Sequence, residues 1–277
     1  MDTATYLTRI GYQGSTQPSL ENLMEIHRRH VLSVPFGSLG IHCGERITLE
    51  LPALYRKIVG GRREGFCYEV NGLFSWLLGA LGYEVALLSG RVQNIETQVF
   101  GPPYDHLILL VELEGRRWLC DVGFGNSFRV PLPLEDGAQA VQENGVFRLA
   151  EDQGTWLLQR SPQGSGCDRA SEATLYKFTL RRRRLEDFAA MCEYQQTSPS
   201  SIFACKSFCS LHLPSGHLTY MGRRLIVTEY TADGERKATT ELEEKEIPHV
   251  LKGRFGITLS NKLVPKDDRI VPQPQAD

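Results

Sequence analysis

The sequence predicts an α+β protein. A mostly helical N-terminal region leads into an antiparallel barrel or curled sheet, and a shorter stretch of strands and one helix follows. Three observations carry this. After Cys67 the apolar residues Val70, Leu73, Phe74, Leu77, Leu78 and Leu81 recur at helical spacing, one buried stripe of an α-helix. From Val85 the period changes to two, first over Val85–Val92 and then over Leu107–Leu113. Near the end, Glu241–Phe255 returns to a helical pattern with an acidic start, the end of a helix that favours negative charge.

The elements follow in order. Tyr6, Leu7 and Ile10 form a short amphipathic turn ended by Gly11. Ser19 caps a helix carrying Leu20, Leu23, Met24, Ile26 and Val31, and Pro35 ends it. A further helix is expected near Leu51–Val59, and the cysteine helix, stopped by Gly82, closes residues 1–84 as a helical unit. Residues 85–196 are the sheet region. Its strands are Val85–Val92, Leu107–Leu113, Arg117–Val122, Phe147–Leu149, Trp156–Gln159 and Tyr176–Leu180, with a surface loop at Pro162–Arg169. Leu185, Phe188 and Met191 mark a short linking helix. Residues 197–277 hold strands at Ser207–Leu213 and Leu218–Tyr230, the last helix, and a charged, proline-rich tail from Pro265 that drapes loosely over the surface.

Composition narrows the function classes. Lys and Arg number 31 against 33 Asp and Glu, so no basic excess points to nucleic acid. No apolar run approaches membrane-spanning length, and Met1–Tyr6 has neither the basic nor the apolar part of a signal peptide. The 7 cysteines are scattered and form no C-x-x-C pair, which fits a reducing cytoplasm better than a disulfide framework or a metal centre. The run Arg181–Arg184 is a solvated loop or helix start, or alternatively a patch for an anionic ligand such as a nucleotide phosphate.

Cys67 stands where a loop gives way to its helix. Free N–H groups and the positive dipole end there favour an anion, so a thiol at that position should ionise more readily. A lone cysteine is ordinarily a buried structural residue; the rest of the chain argues otherwise. Glu114–Gly115 makes a two-residue hairpin turn between Leu113 and Arg116. In that register Asp121 faces Ile108, and His106 is its diagonal neighbour on the same strand face. Diagonal pairs lie about 7–8 Å apart at the backbone, within reach of an imidazole and a carboxylate. A three-residue loop would spoil the parity. An Asp on one ring nitrogen fixes the tautomer of a His and supports its positive charge, and such a His is the usual base for a cysteine nucleophile. Cys67, His106 and Asp121 are therefore a candidate triad.

The segments Arg63–Asn71, Gly101–His106 and Asp121–Gly125 resemble the arylamine N-acetyltransferases, as do Val34-Pro35-Phe36 and Thr197-Ser198-Pro199-Ser200. The matches run in order over nearly the whole chain, and the modest length between Phe147 and Leu180 is more like the bacterial members. The resemblance implies a helical bundle, a β-barrel and an α/β lid, with a core like those of cysteine proteases and transglutaminases. It places the triad on Cys67, His106 and Asp121. It places the acceptor pocket at Phe36, Phe66, Val92, Phe124 and Phe203, and coenzyme A near Gly101, Pro102, Pro103, Tyr104, Tyr194 and Ser200. The implied substrates are acetyl-coenzyme A and an arylamine or hydrazine, with no metal, nucleic acid or membrane partner.

Two departures stand out. Glu64 replaces a Gly of the family's pre-cysteine motif, and Gly37 and Ser38 replace a Glu and an Asn; in relatives that Glu pairs with the Arg matching Arg63. Glu64 is expected to be neutralised by Arg62 or Arg63 in an exposed pair, weak and screened, so that Glu64→Gly shifts the pH dependence of Cys67 alkylation only slightly and changes which amines are accepted through loop shape; left unpaired, it would oppose thiolate formation. Two other functions share the scaffold. A transglutaminase-like or papain-like cysteine hydrolase would use the same triad without coenzyme A, and a binding protein would carry a thiol of ordinary pKa.

Overall fold

The computed structural model describes residues 1–162, 172–231 and 234–271. The loop expected at 162–169 lies outside the described residues except for Pro162, and so does the end of the tail. The helices are α1 (Thr3–Arg9), α2 (Leu20–Ser33), α3 (Leu39–His42), α4 (Leu51–Tyr55), α5 (Cys67–Ala80), α6 (Ala189–Thr197), α7 (Ile202–Cys205) and α8 (Ile247–Phe255). The strands are β1 (Phe36–Gly37), β2 (Glu84–Val92), β3 (His106–Leu113), β4 (Arg116–Cys120), β5 (Leu132–Pro133), β6 (Gln139–Gln142), β7 (Gly145–Asp152), β8 (Thr155–Ser161), β9 (Ala173–Phe178), β10 (Phe208–Leu213), β11 (Gly216–Met221), β12 (Arg224–Thr231) and β13 (Gly234–Glu241).

Local chemistry accounts for the boundaries. Ser19 caps α2 by accepting the Asn22 N–H at 3.2 Å. α4 runs directly into a π-turn over Arg56–Gly60. α5 is buried from Cys67 through Phe74 and again at Leu77 and Leu78, so it is the axis of the helical region. Its large apolar side chains, Val70, Leu73, Phe74, Leu77 and Leu78, contribute about 1.5–3 kcal/mol each by burial.

Eight strands form one antiparallel sheet in the order β5-β4-β3-β2-β9-β8-β7-β6, curled into a nearly closed barrel. Its ends are stitched by Gln142, whose side chain accepts the N–H groups of Arg129 and Val130 just before β5. Strand β3 is buried on both faces. Leu107, Leu109 and Val111 pack on α5, while Ile108 and Leu110 point into the barrel with Leu88, Leu119, Phe147, Leu158 and Tyr176. Period two thus serves two cores at once.

A second sheet, β1-β10-β11-β12-β13, forms the lid core with α8, and β1 reaches it from the helical region. Here the sequence expectation is corrected. The stretch from Gly234 to Glu241 is a strand, and the last helix begins at Ile247. Glu241 pairs with Arg224 at the end of the β12–β13 ladder, and Pro248 in the first turn starts the helix instead. The tail is also less loose than expected as far as Val271. Asp267 pairs with Lys206 and Arg224, and the Val271 N–H donates to the Pro199 carbonyl at 2.9 Å.

Candidate active site

Cys67 is the first residue of α5 and only 2% exposed. The Phe66 N–H donates to Glu69 Oε2 at 3.1 Å, and Glu69 Oε1 takes Lys57 Nζ at 2.7 Å. The helix start is therefore capped from inside the core. Burial corrects the expectation of an easily ionised thiol. Removal from water, with the carboxylates of Asp105 and Asp121 and the Cys192 thiol adding to it, pushes the Cys67 thiol well up, against the Leu107 backbone. A helix N-terminus alone does not ionise this cysteine.

The hairpin forms in the expected register, Leu113 opposite Arg116 and Leu109 opposite Cys120, with positive φ at both Glu114 and Gly115. Asp121 leaves the ladder after Cys120. Its Oδ2 meets His106 Nε2 at 2.7 Å, with both side chains almost wholly buried. That leaves Nδ1 as the free ring nitrogen of His106. Asp121 Oδ1 accepts from Asn71 Nδ2 at 2.8 Å and from the Gly123 N–H at 2.9 Å. Burial opposes its charge, but His106 first, then Asn71 and Gly123, outweigh that and hold the Asp121 carboxyl below the usual range.

Asn71 is one turn after Cys67 and uses both its N–H groups and its oxygen: besides Asp121 it donates to the Leu107 carbonyl at 2.7 Å and accepts the Val122 N–H at 2.9 Å. It ties the cysteine helix to both the His and the Asp segments. Gly123 completes the contact, because a Cβ there would lie 2.9 Å from Cys67 Cα and 2.8 Å from Asn71 Nδ2. Sequence reasoning did not single out Asn71. The available signal was a polar side chain inside the apolar stripe of α5. Tyr176 is likewise new, its ring 5.1 Å from the His106 ring.

The expected pocket residues fall into two aromatic groups. Phe66 and Phe36 pack on Phe203 at 5.1 and 6.0 Å, joined by Phe208. Phe124 lies 5.3 Å from both the His106 and Tyr176 rings. Val92 ends β2, where its carbonyl accepts the Gly101 N–H at 2.8 Å. Gly101, Pro102, Pro103 and Tyr104 form the turn before His106. A Cβ on Gly101 would collide with Asp105 Oδ2 at 2.2 Å, and Tyr104 holds a positive φ of 63°. Tyr194 and Ser200 lie on and just after α6, which reaches this turn through Gln195 Nε2 on Asp105 Oδ1 at 3.1 Å. Arg183, the one member of the basic run that is partly buried, places its guanidinium 5.1 Å over the Tyr104 ring. Among the described residues no group of three or more His, Cys, Asp and Glu side chains could hold a metal ion.

Glu64 overturns its expectation. It is wholly buried, not exposed. Its Oε2 pairs with Arg63 Nε at 3.1 Å, its Oε1 accepts the Gly40 N–H at 2.9 Å, and Arg63 reaches on to Glu45 at 2.9 Å. Burial opposes its charge, but Lys57 and Arg63 prevail and hold the carboxyl below the usual range. Glu64→Gly therefore does more than reshape a loop: it leaves the buried Gly40 N–H without its acceptor and Arg63 with Glu45 alone, costing about 1–3 kcal/mol. Urea unfolding of the two proteins measures this. The pH profile of Cys67 alkylation should stay in place, because the carboxylates that bear on the thiol are Asp105 and Asp121.

Comparison with known proteins agrees with this layout. Residues 19–264 match a family model described as N-acetyltransferase. The chain is 38% identical over 285 residues to human arylamine N-acetyltransferase 1, covering 96% of this chain and 97% of the relative. The chain belongs to the arylamine N-acetyltransferase family. A chicken member, the pineal gland isozyme NAT-3, is 38% identical over 281 residues, again 96% of this chain and 97% of its own. Among solved structures, the arylamine N-acetyltransferase of Mycobacterium abscessus superposes with a TM-score of 0.83 at 29% identity, covering 94% of this chain and 91% of that one. The Mycobacterium marinum arylamine N-acetyltransferase, solved in complex with CoA, gives 0.82 at 30% identity, covering 92% and 93%. These vertebrate members share more identity with the chain than these bacterial ones do.

Proposed function

We propose that the chain transfers an acetyl group from acetyl-coenzyme A to the nitrogen of an arylamine, arylhydrazine or related acceptor, in two steps through an acetyl-cysteine. The observation that carries this is the buried 2.7 Å bond between His106 and Asp121, laced through Asn71 to the first turn of α5. Because burial pushes the Cys67 thiol up, the thiol needs a base at hand. His106 Nδ1 takes the Sγ proton while Asp121 steadies the imidazolium. Sγ attacks the thioester carbonyl carbon, and coenzyme A leaves as its thiol with the proton from His106. The acceptor nitrogen then attacks the acetyl carbonyl, His106 takes the proton it loses, and Sγ leaves. Backbone N–H groups at the start of α5 are the donors available to the oxyanion. The Phe36, Phe66 and Phe203 group and Phe124 supply flat apolar faces for an aryl ring. The turn Gly101–Tyr104, with Tyr194 and Ser200, receives coenzyme A; that a relative was solved in complex with CoA supports coenzyme A as the carrier of the acetyl group.

Intact-mass measurement tests this. Acetyl-coenzyme A should add one acetyl group, mapped to Cys67, and an arylamine such as 4-aminobenzoate should remove it as the N-acetyl product. No adduct would leave a hydrolase on the same scaffold; an adduct that only water removes would do the same. Asp121→Asn is expected to slow acetylation of Cys67 sharply while the KM for acetyl-coenzyme A changes little. In a serine triad the equivalent change costs about 10⁴-fold, and a comparable loss is expected here. Stopped-flow single turnovers give both numbers, and near wild-type rates would remove Asp121 from the mechanism.

A further inference from the structure

Asp121 is held by its backbone as well as by its carboxylate. Its N–H donates to His27 Nε2 at 3.1 Å. An amide only donates, so Nε2 is a bare acceptor and the ring proton sits on Nδ1. That nitrogen lies 2.9 Å from the Arg129 carbonyl and donates to it. His27 is on α2, wholly buried, stacked on Phe128 at 5.6 Å and edge-on to Phe74 at 5.9 Å. Its tautomer and plane are therefore both set.

Arg129 continues the line. It is also wholly buried. Nη1 donates to the Pro214 carbonyl at 3.0 Å and Nη2 to the Gly216 carbonyl at 2.8 Å. Those carbonyls flank the turn between β10 and β11 in the lid. The guanidinium also lies 5.4 Å over the Tyr230 ring of β12. The Glu143 carboxylate acts on it only at longer range, and a buried guanidinium whose direct hydrogen bonds go to neutral carbonyls is an expensive way to fill space. What it provides is a planar fork that grips two carbonyls at once, which lysine cannot reproduce.

We propose that His27 and Arg129 are positioning residues that register the lid hairpin on the catalytic carboxylate, through the line Gly216/Pro214–Arg129–His27–Asp121. This rests on the assignment of Asp121 to the triad. When the fork is engaged, the Arg129 carbonyl orients His27, and His27 pins the Asp121 backbone so that Oδ2 stays on His106. Releasing the fork lets the carboxylate drift. A misplacement of about 1 Å in such a constellation costs about 100-fold in rate.

The test uses the full chain with His27→Leu, His27→Gln, Arg129→Lys and Asp121→Asn. Single-turnover acetylation of Cys67 and the pH profile of its alkylation by iodoacetamide are measured for each. His27→Leu removes the acceptor; it should slow acetylation about 10- to 100-fold, with the KM for acetyl-coenzyme A within about 3-fold. Its alkylation profile should move in the same direction as that of Asp121→Asn. His27→Gln, whose amide oxygen also accepts, should recover most of the rate. Combined with Asp121→Asn, His27→Leu should add little, since both act through one carboxylate. If His27→Leu does not fold, His27→Gln and Arg129→Lys carry the test. Arg129→Lys should then be the slower of the two, with its alkylation profile shifted and its Asp121 amide exchanging with deuterium faster. A crippled Asp121→Asn beside wild-type rates and profiles in the His27 and Arg129 variants overturns the proposal and leaves the triad standing. An active Asp121→Asn overturns the triad itself.

Discussion

Cys67→Ser yields a folded protein that takes no acetyl group from acetyl-coenzyme A. The site is 2% exposed, and serine is close in volume to cysteine, so the packing of α5 against β3 survives. The chemistry does not. Burial and two nearby carboxylates already push the thiol up, and a hydroxyl in the same place ionises far less readily still. The His106–Asp121 pair cannot compensate for the difference, and loss of a nucleophile in such a unit removes about 10⁴-fold or more of the rate. Intact-mass spectra over hours of incubation, beside circular dichroism to show the fold, provide the check. An acetyl adduct at a rate near wild type would mean that another residue receives the group.

Acidification from pH 7 towards pH 4 should cost the protein much of its stability through its buried histidines. Burial lowers His27 and His217 to about 4, and lowers His30 and His212 well below the ordinary 6.5. Above the unfolded pKa both states are neutral and nothing is lost. Between 6.5 and about 4 the unfolded chain binds a proton at His27 and His217 and the folded chain does not, and His30 and His212, also held low, act in the same direction. Stability therefore falls with pH by about 1.4 kcal/mol per unit for each such histidine. Asp121, held low, adds to the loss at still lower pH, while Asp105 and Glu69, held high, work the other way. A domain stabilised by about 5–15 kcal/mol does not tolerate four such groups for long. Melting temperatures across this range should fall steeply, and His30→Leu should flatten the slope by one histidine's share. His30 is the informative position, since neither ring nitrogen has a hydrogen-bond partner among the described residues. An unchanged slope in that variant would assign the acid sensitivity elsewhere.

What the chain displays locally was legible, and what it settles only by packing was not. The stripe from Val70 to Leu78 gave α5, because one face of a helix repeats in sequence. The Glu114–Gly115 turn fixed a parity, so the neighbourhood of His106 and Asp121 followed from counting residues. Strand β13 was missed because it is exposed over nearly its whole length and alternates nothing. Asn71 and His27 were passed over because their partners, Asp121 and its backbone, are 50 and 94 residues away. The pull of burial against ionisation of the Cys67 thiol was not legible, because helix position is written in the sequence and burial is not. Glu64 was placed in solvent for the same reason: nothing next to it announces that Gly40 and Lys57 close over it.

The seat of Glu64 bears on how such a chain could have changed over time. Its counterpart in relatives stands at position 37, and here Gly37 has no room for it. A Cβ there would lie 2.5 Å from the Phe208 carbonyl oxygen and 2.7 Å from Cys209 Cα. Restoring a glutamate at 37 first would force β1 off β10. Removing Glu64 first would leave Arg63 with Glu45 alone and the Gly40 N–H without its acceptor. Either single change passes through a weakened protein, and only the paired exchange, with β10 adjusting, reaches the arrangement that the family resemblance implies. The two positions are thus mutually entrenched, and a chimera that grafts the pre-cysteine loop of a relative onto this chain should be grafted together with its β1.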